Sequence, residues 1–300
     1  MYDADPDAAG DDDRQFLLLA NARGGTPAVR LVPPPPAVAL ALAAGHGYGA
    51  QGDGGDQGDP DGDVDGNAVA GAIIVADCVE GLVVNTLTEV HHTVATGCPL
   101  VLVLNKVDRM IFELVLEPEE AYASLERSVY NAQAMVSVQA EGLLDDLVLS
   151  PALGNVVFAS SRHGWAFSLA TFAAIWSDRF PDHTEAELAG LFWGANYYDG
   201  KRKAWQTSPL AASNGRLLQR GFVQFVYEPL VQLLRMAREA DDAGDAAAVC
   251  AALEGRGVAL RPGTEDLTGR DLYAAVACAW IPLSDAVYTA VADHLPPCGG

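Results

Sequence analysis

Five consecutive aliphatic residues, Leu100-Val101-Leu102-Val103-Leu104, end abruptly in Asn105-Lys106-Val107-Asp108. A strand that is apolar at every position has both faces buried, as in a parallel sheet with helices packed on each side. The same texture recurs in Ala72–Asp77 and Gly154–Ala159, with amphipathic stretches between the runs. The alternation is that of βα units. It predicts strands at these three places, helices at Thr86–Ala95, Pro118–Val138 and Phe167–Trp176, and Pro118 in a helix-start position. The fold class that follows is α/β, with a doubly wound, mainly parallel sheet.

The residues that close the central run carry specific chemistry. Guanine presents two donors side by side, N1–H and the 2-amino group. A carboxylate such as Asp108 can accept both at once in a charge-assisted pair. Adenine lacks that pair of donors, so with the wrong base the carboxylate is left unsatisfied. Asn105 is placed to tie its loop to a neighbouring one, and the Lys106 stem to lie over the purine face.

Longer stretches follow in order. They are Gly71 to Gly81 with Asp77-Cys78-Val79-Glu80, Asn105 to Arg109, and Leu116-Glu117-Pro118-Glu119-Glu120. Then come Ser160 to Phe167, Trp193-Gly194, Trp280-Ile281-Pro282 and His294-Leu295-Pro296-Pro297. From Gly71 to Pro297 the chain resembles the front part of the elongation factor 2-like translational GTPases. Two relatives share the scaffold, the GTPase of the spliceosomal U5 particle and the cytosolic GTPase of large-subunit maturation. Val84-Asn85-Thr86 and Phe222 to Phe225 lean towards the spliceosomal one. His163-Gly164-Trp165 and Trp280-Ile281-Pro282 with Asp285-Ala286 lean towards elongation factor 2.

The resemblance implies a P-loop NTPase-type G domain that binds GTP or GDP, with Mg²⁺ in intact members. It implies a ribosome or another ribonucleoprotein particle as partner and a cytoplasmic location, nuclear if the spliceosomal likeness holds. It also implies that Ser160-Ser161-Arg162 stands where the family has a Ser-Gly-Leu-type loop offering a backbone amide to guanine O6. Ser160 fits that loop; Ser161 replaces its glycine. The residues expected to bind guanine are therefore Asn105, Lys106, Asp108, Ser160 and Ser161.

No Gly-x-x-x-x-Gly-Lys-Ser/Thr occurs in the sequence. In the family that loop holds the β- and γ-phosphates and supplies a Mg²⁺ ligand. The stretch closest to the next box, Asp-x-x-Gly-His, is Asp59-Pro60-Asp61-Gly62-Asp63, with Asp63 in place of the water-orienting His. The expectation is a partial G domain that reads guanine with impaired or no hydrolysis. Three strands out of a larger sheet would leave an edge and part of a face uncovered, and hence low stability or solubility. The alternative from another class is a non-catalytic pseudo-GTPase interaction module or a truncated gene product.

Composition sets further bounds. Half of the 300 residues are hydrophobic, enough for a substantial core, and the net charge is −22. That charge argues against direct binding to nucleic acid or anionic membranes, and no apolar run approaches about 18 residues. Residues 1–68 are low in complexity, with acidic, proline and Gly/Asp tracts, and are expected to be mostly disordered. Within them Phe16-Leu17-Leu18-Leu19 is an apolar island able to pair locally. The Asp61-x-Asp63-x-Asp65-Gly66 run reads as an acidic linker, because Ala72 stands where a calcium loop needs its bidentate Glu.

Residues 69–180 are assigned to the G domain, 181–269 to an inserted α+β subdomain, and 270–300 to helices returning to the G domain. In the insert, Gly221–Tyr227 is predicted as an alternating strand, and Leu230–Arg238 and Asp245–Leu253 as helices. Arg270–Cys278 and Asp285–His294 are predicted as the returning helices. The five cysteines read as buried free thiols in a reducing compartment. Asp77 reads as the cap of a turn rather than a metal ligand. His163-Gly164-Trp165 reads as a turn followed by a core Trp, and His91-His92 as solvated or packed. No catalytic residue and no metal ligand set is assigned.

Overall fold

A computed structural model describes residues 17–23, 26–32, 71–81, 99–139, 147–211, 215–240, 243–255 and 257–295. The first pair of segments forms an antiparallel hairpin, β1 (Leu17–Arg23) with β2 (Thr26–Val32). Arg23 pairs with Thr26 across Gly24-Gly25, a two-residue link of the composition that tight hairpins use. The apolar island at Leu17 thus does pair locally. The rest of residues 1–68, the Thr86–Ala95 helix, His91-His92, Cys98 and Cys298 lie outside the described residues.

The central sheet has the order β3 (Ala72–Asp77), β4 (Leu100–Asn105), β5 (Val156–Ser160), β6 (Trp165–Phe167). The first three strands run parallel, and β6 pairs antiparallel with β5. Side-chain alternation divides the strands between two apolar layers. Ile73, Val75, Val101, Val103, Val157 and Ala159 face one way, against Ala286, Val287 and Ala290 of a C-terminal helix. Ile74, Leu102, Leu104, Val156 and Phe158 face the other way, into the main core. Every residue of β3 is buried, and β1 runs close beside it. The face of β3 is therefore covered, while β3 remains an edge of the sheet, with β4 its hydrogen-bonded neighbour.

The helices around the sheet are α1 (Val107–Phe112), α2 (Pro118–Gln139), α3 (Leu169–Trp176) and α4 (Glu185–Leu191). A small hairpin of β7 (Tyr197–Asp199) and β8 (Ala204–Gln206) follows. Helix α2 opens with Pro118, Glu119 and Glu120, the fixed φ and acidic charge that suit a helix N-terminus. Phe167, predicted to open a helix, instead closes β6. Ser168 separates strand from helix, its backbone N–H donating to Thr171 Oγ1 at 3.2 Å.

Gly221–Tyr227 is not the strand that its apolar run suggested. Gly221 and Phe222 are helical, Val223–Tyr227 form a π-helical turn, and α5 (Glu228–Glu239) continues from it. Phe222, Val223, Phe225, Val226 and Tyr227 are all buried, and a helix that is apolar all round is a core helix. The π turn has an identifiable cause. Pro229 has no N–H to give to the carbonyl of Phe225, four residues back, and its ring crowds that carbonyl. The indole N–H of Trp176 takes the donor's place, at 2.7 Å from Phe225 O. Gly221 lets this helix start close to its neighbours, since a Cβ there would meet Leu191 O at 2.7 Å and the Trp205 ring at 2.8 Å.

The remaining helices are α6 (Ala243–Glu254), α7 (Gly269–Trp280) and α8 (Leu283–His294), the last being the one that covers the sheet's second face. Among the described residues no helix is long and apolar enough to cross a membrane. Rings from both sides of position 181 share one core. Phe225 alone has the rings of Trp176, Phe180, Phe192, Tyr198 and Trp205 at centroid distances of 5.3 to 5.6 Å.

Phe225→Ala should therefore lower the unfolding free energy by about 3–5 kcal/mol in urea denaturation. Trp176→Phe keeps the ring but orphans the Phe225 carbonyl, and should cost about 1–3 kcal/mol. Adding Pro229→Ala to Trp176→Phe restores a main-chain donor and should recover part of that loss. No recovery would refute this account of the π turn.

Candidate functional site

The polar corner lies at the C-terminal ends of β3, β4 and β5, where an open α/β sheet presents its loops to ligands. Asn105, the last residue of β4, is 9% exposed, and the next residue turns the chain sharply. Lys106 has φ 65° and ψ 31°, a left-handed conformation that lets α1 begin at Val107. Asp108 consequently lies in the first turn of α1, where a negative charge is favoured.

Two loops are locked together at this corner. Asn105 Nδ2 donates to Ser161 Oγ at 2.8 Å, while Ser161 N–H donates to Asn105 Oδ1 at 2.9 Å. The sequence expectation that Asn105 ties its loop to a neighbour is met, and Ser161 is the residue it grips. Asp77 performs the same service on the other side. Its Oδ1 accepts the backbone N–H groups of Val79 and Glu80 at 2.7 and 3.1 Å, capping the turn after β3 as expected. Its Oδ2 lies 3.2 Å from Lys106 Nζ and 3.4 Å from Arg109 Nη1. The Lys106 stem is thus tethered at both ends.

Asp108 is only 13% exposed, and its Oδ2 lies 3.5 Å from His163 Nε2. Burial by itself pushes this carboxyl up. The bond and charge of His163, with the Ser160 hydroxyl nearby, outweigh burial and hold it below the ordinary carboxylate range. Ser160 Oγ lies near enough to favour the charge but forms no hydrogen bond of ordinary geometry; it is fully buried and unpartnered. The structure therefore brings Asn105, Lys106, Asp108, Ser160 and Ser161 to one corner. It adds His163, whose spacing three residues after Ser160 in the same turn was the available signal.

His163-Gly164-Trp165 is the predicted turn and core Trp. Gly164 has φ 71°, and a Cβ there would meet Cys278 Sγ at 2.9 Å. Trp165 is fully buried and donates its indole N–H to Tyr273 OH at 2.7 Å. The ring of Tyr273 also meets that of His163 edge-on, 4.8 Å between centroids. Ala166 N–H donates to Ile281 O at 3.0 Å and Leu283 N–H to Gly164 O at 3.1 Å, so the Trp280-Ile281-Pro282 stretch zips onto β6. Cys78 is buried, and burial together with the charges of Asp77 and Asp108 pushes its thiol well up. Cys250 is buried too, but Cys278 is exposed, against the expectation of a buried thiol.

The sequence model of the family described as Elongation factor Tu GTP binding domain matches residues 65–291. The chain belongs to this family. It is a G domain of the translation-factor type, a GTP-binding class, with an α/β fold built on a mainly parallel sheet. The corner offers a largely buried acceptor carboxylate, Asp108, beside the fully buried Ser160 hydroxyl. It does not fit Mg²⁺. Both oxygens of Asp77 are engaged, and no group of three or more His, Cys, Asp or Glu side chains able to hold a metal occurs among the described residues.

Because the native pKa of Asp108 is depressed, its pairing adds stability that is complete above the ordinary carboxylate range, near pH 3.9. That stability is lost as pH falls through the lower native value. The stability gap between the wild type and Asp108→Asn should be constant above about pH 5 and close below about pH 4. Urea denaturation at stepped pH measures it.

Proposed function

We propose that Asn105, Lys106, Asp108, Ser160 and Ser161 form a guanine-nucleotide site of the elongation factor 2-like kind. The observation that carries the reading is the place of Asp108, 13% exposed in the first turn of α1, beside the fully buried Ser160 and the Asn105–Ser161 clasp. The order of stretches from Gly71 to Pro297 supports the narrower assignment to the elongation factor 2 group. Ribosome association and a cytosolic location belong to the same proposal, through that resemblance. The spliceosomal and ribosome-maturation relatives are the alternatives within it.

Base reading and phosphate handling separate in this sequence. A G domain stabilises the transferring phosphoryl group through its phosphate loop and Mg²⁺. These 300 residues contain no Gly-x-x-x-x-Gly-Lys-Ser/Thr. That absence favours a second reading, in which the chain acts as a pseudo-GTPase interaction module that recognises guanine without hydrolysing GTP.

The 300-residue protein should bind GDP in competition with GTP but not with ATP, and Asp108→Ala should abolish binding in equilibrium dialysis. Asp108→Asn replaces one acceptor by an amide donor, which matches the N1–H and 2-oxo pattern of xanthine. It should therefore exchange GDP for xanthosine diphosphate. Single-turnover GTP hydrolysis should not exceed the buffer blank. Competition by ATP equal to that by GTP would sink the guanine assignment, and hydrolysis abolished by Asp108→Ala would sink the pseudo-GTPase reading.

A further inference from the structure

Two side chains face the Asp108 carboxylate, His163 and Ser160, and both favour its charge. His163 Nε2 stands 3.5 Å from its Oδ2, and Ser160 is fully buried beside it. His163 is itself fixed. Its ring packs edge-on against Tyr273, and its carbonyl oxygen accepts from Cys278 Sγ at 3.3 Å. Both partners belong to α7, which the Trp165–Tyr273 hydrogen bond ties to β6.

We infer that His163 is a gate on the guanine-reading carboxylate: its contact with Asp108 Oδ2 takes an acceptor that the donors of the base need, and it must yield to them. The inference rests on the guanine reading above. Displacement of His163 lets Asp108 accept N1–H and the 2-amino group.

The test titrates guanosine monophosphate into the full 300-residue wild type, His163→Ala and His163→Gln. Binding is followed by NMR of the nucleotide and of the histidine Cε1–H signals. His163→Ala should bind about tenfold more tightly than the wild type, equivalent to about 1.4 kcal/mol. His163→Gln, which keeps a neutral donor and much of the side-chain volume, should fall between the two. The wild-type His163 resonance should move on saturation with the nucleotide. Equal or weaker binding by both variants, with wild-type binding intact, overturns the gate and leaves the guanine site standing. Absence of binding in all three proteins overturns the guanine site and the gate with it.

Discussion

Two-sided burial of β4 is the constraint on which the rest of this structure depends. Leu100, Leu102 and Leu104 pack into the main core, while Val101 and Val103 pack under α8. A slip of one residue would swap every side chain between two differently shaped layers. The strand is therefore fixed in register, and so is the point at which it leaves the sheet. Asn105 is delivered to that point, the left-handed Lys106 turns the chain at once, and Asp108 arrives in the first helical turn. Placement of the recognition residues is thus a property of hydrophobic packing some distance away.

The second half of the corner is held by a different device. Ser160 ends β5, Ser161 and His163 lie in the turn to β6, and β6 is only three residues long. Such a strand has too few ladder bonds to fix a loop. It is reinforced by the backbone bonds to Ile281 and Leu283 and by the Trp165–Tyr273 hydrogen bond. Helices from the end of the chain are therefore part of the site's framework, although they contribute no residue to the predicted guanine contacts. The aromatic core around Phe225 extends the same framework into residues 181–240. Arg220 adds a polar tie, reaching Glu119 at 3.1 Å and Gly194 O at 2.6 Å while lying over the Tyr122 ring.

The parallel strands were legible because their signal is local: a run of aliphatic residues, then polar residues at the exit. Asn105, Lys106 and Asp108 were legible for the same reason, and Ser160 and Ser161 through a family pattern. Gly221–Tyr227 was misread because an apolar run of that length has no decisive period. Its helical state depends on Trp176 satisfying the carbonyl that Pro229 abandons, a contact across 49 residues. Phe167 was misplaced by a single overlooked cap, Ser168. Cys278 was expected to be buried because its helix is apolar, yet it sits on the exposed flank. His163 was less legible as a partner of Asp108 because His163-Gly164-Trp165 reads locally as a turn before a core Trp, and only its place three residues after Ser160 ties it to the corner.

A carboxylate that distinguishes bases must be buried, since in open water its preference for two donors over none is weak. Burial creates a second problem when the ligand is away. Burial alone pushes the pKa of a carboxyl at 13% exposure up, so a partner that favours the charge stabilises the site. The same partner has to be dislodged when a base brings its own donors. An imidazole at 3.5 Å, braced by Tyr273 but 23% exposed itself, meets both demands. A fully buried arginine in bidentate contact would hold the charge too firmly for a base to displace it.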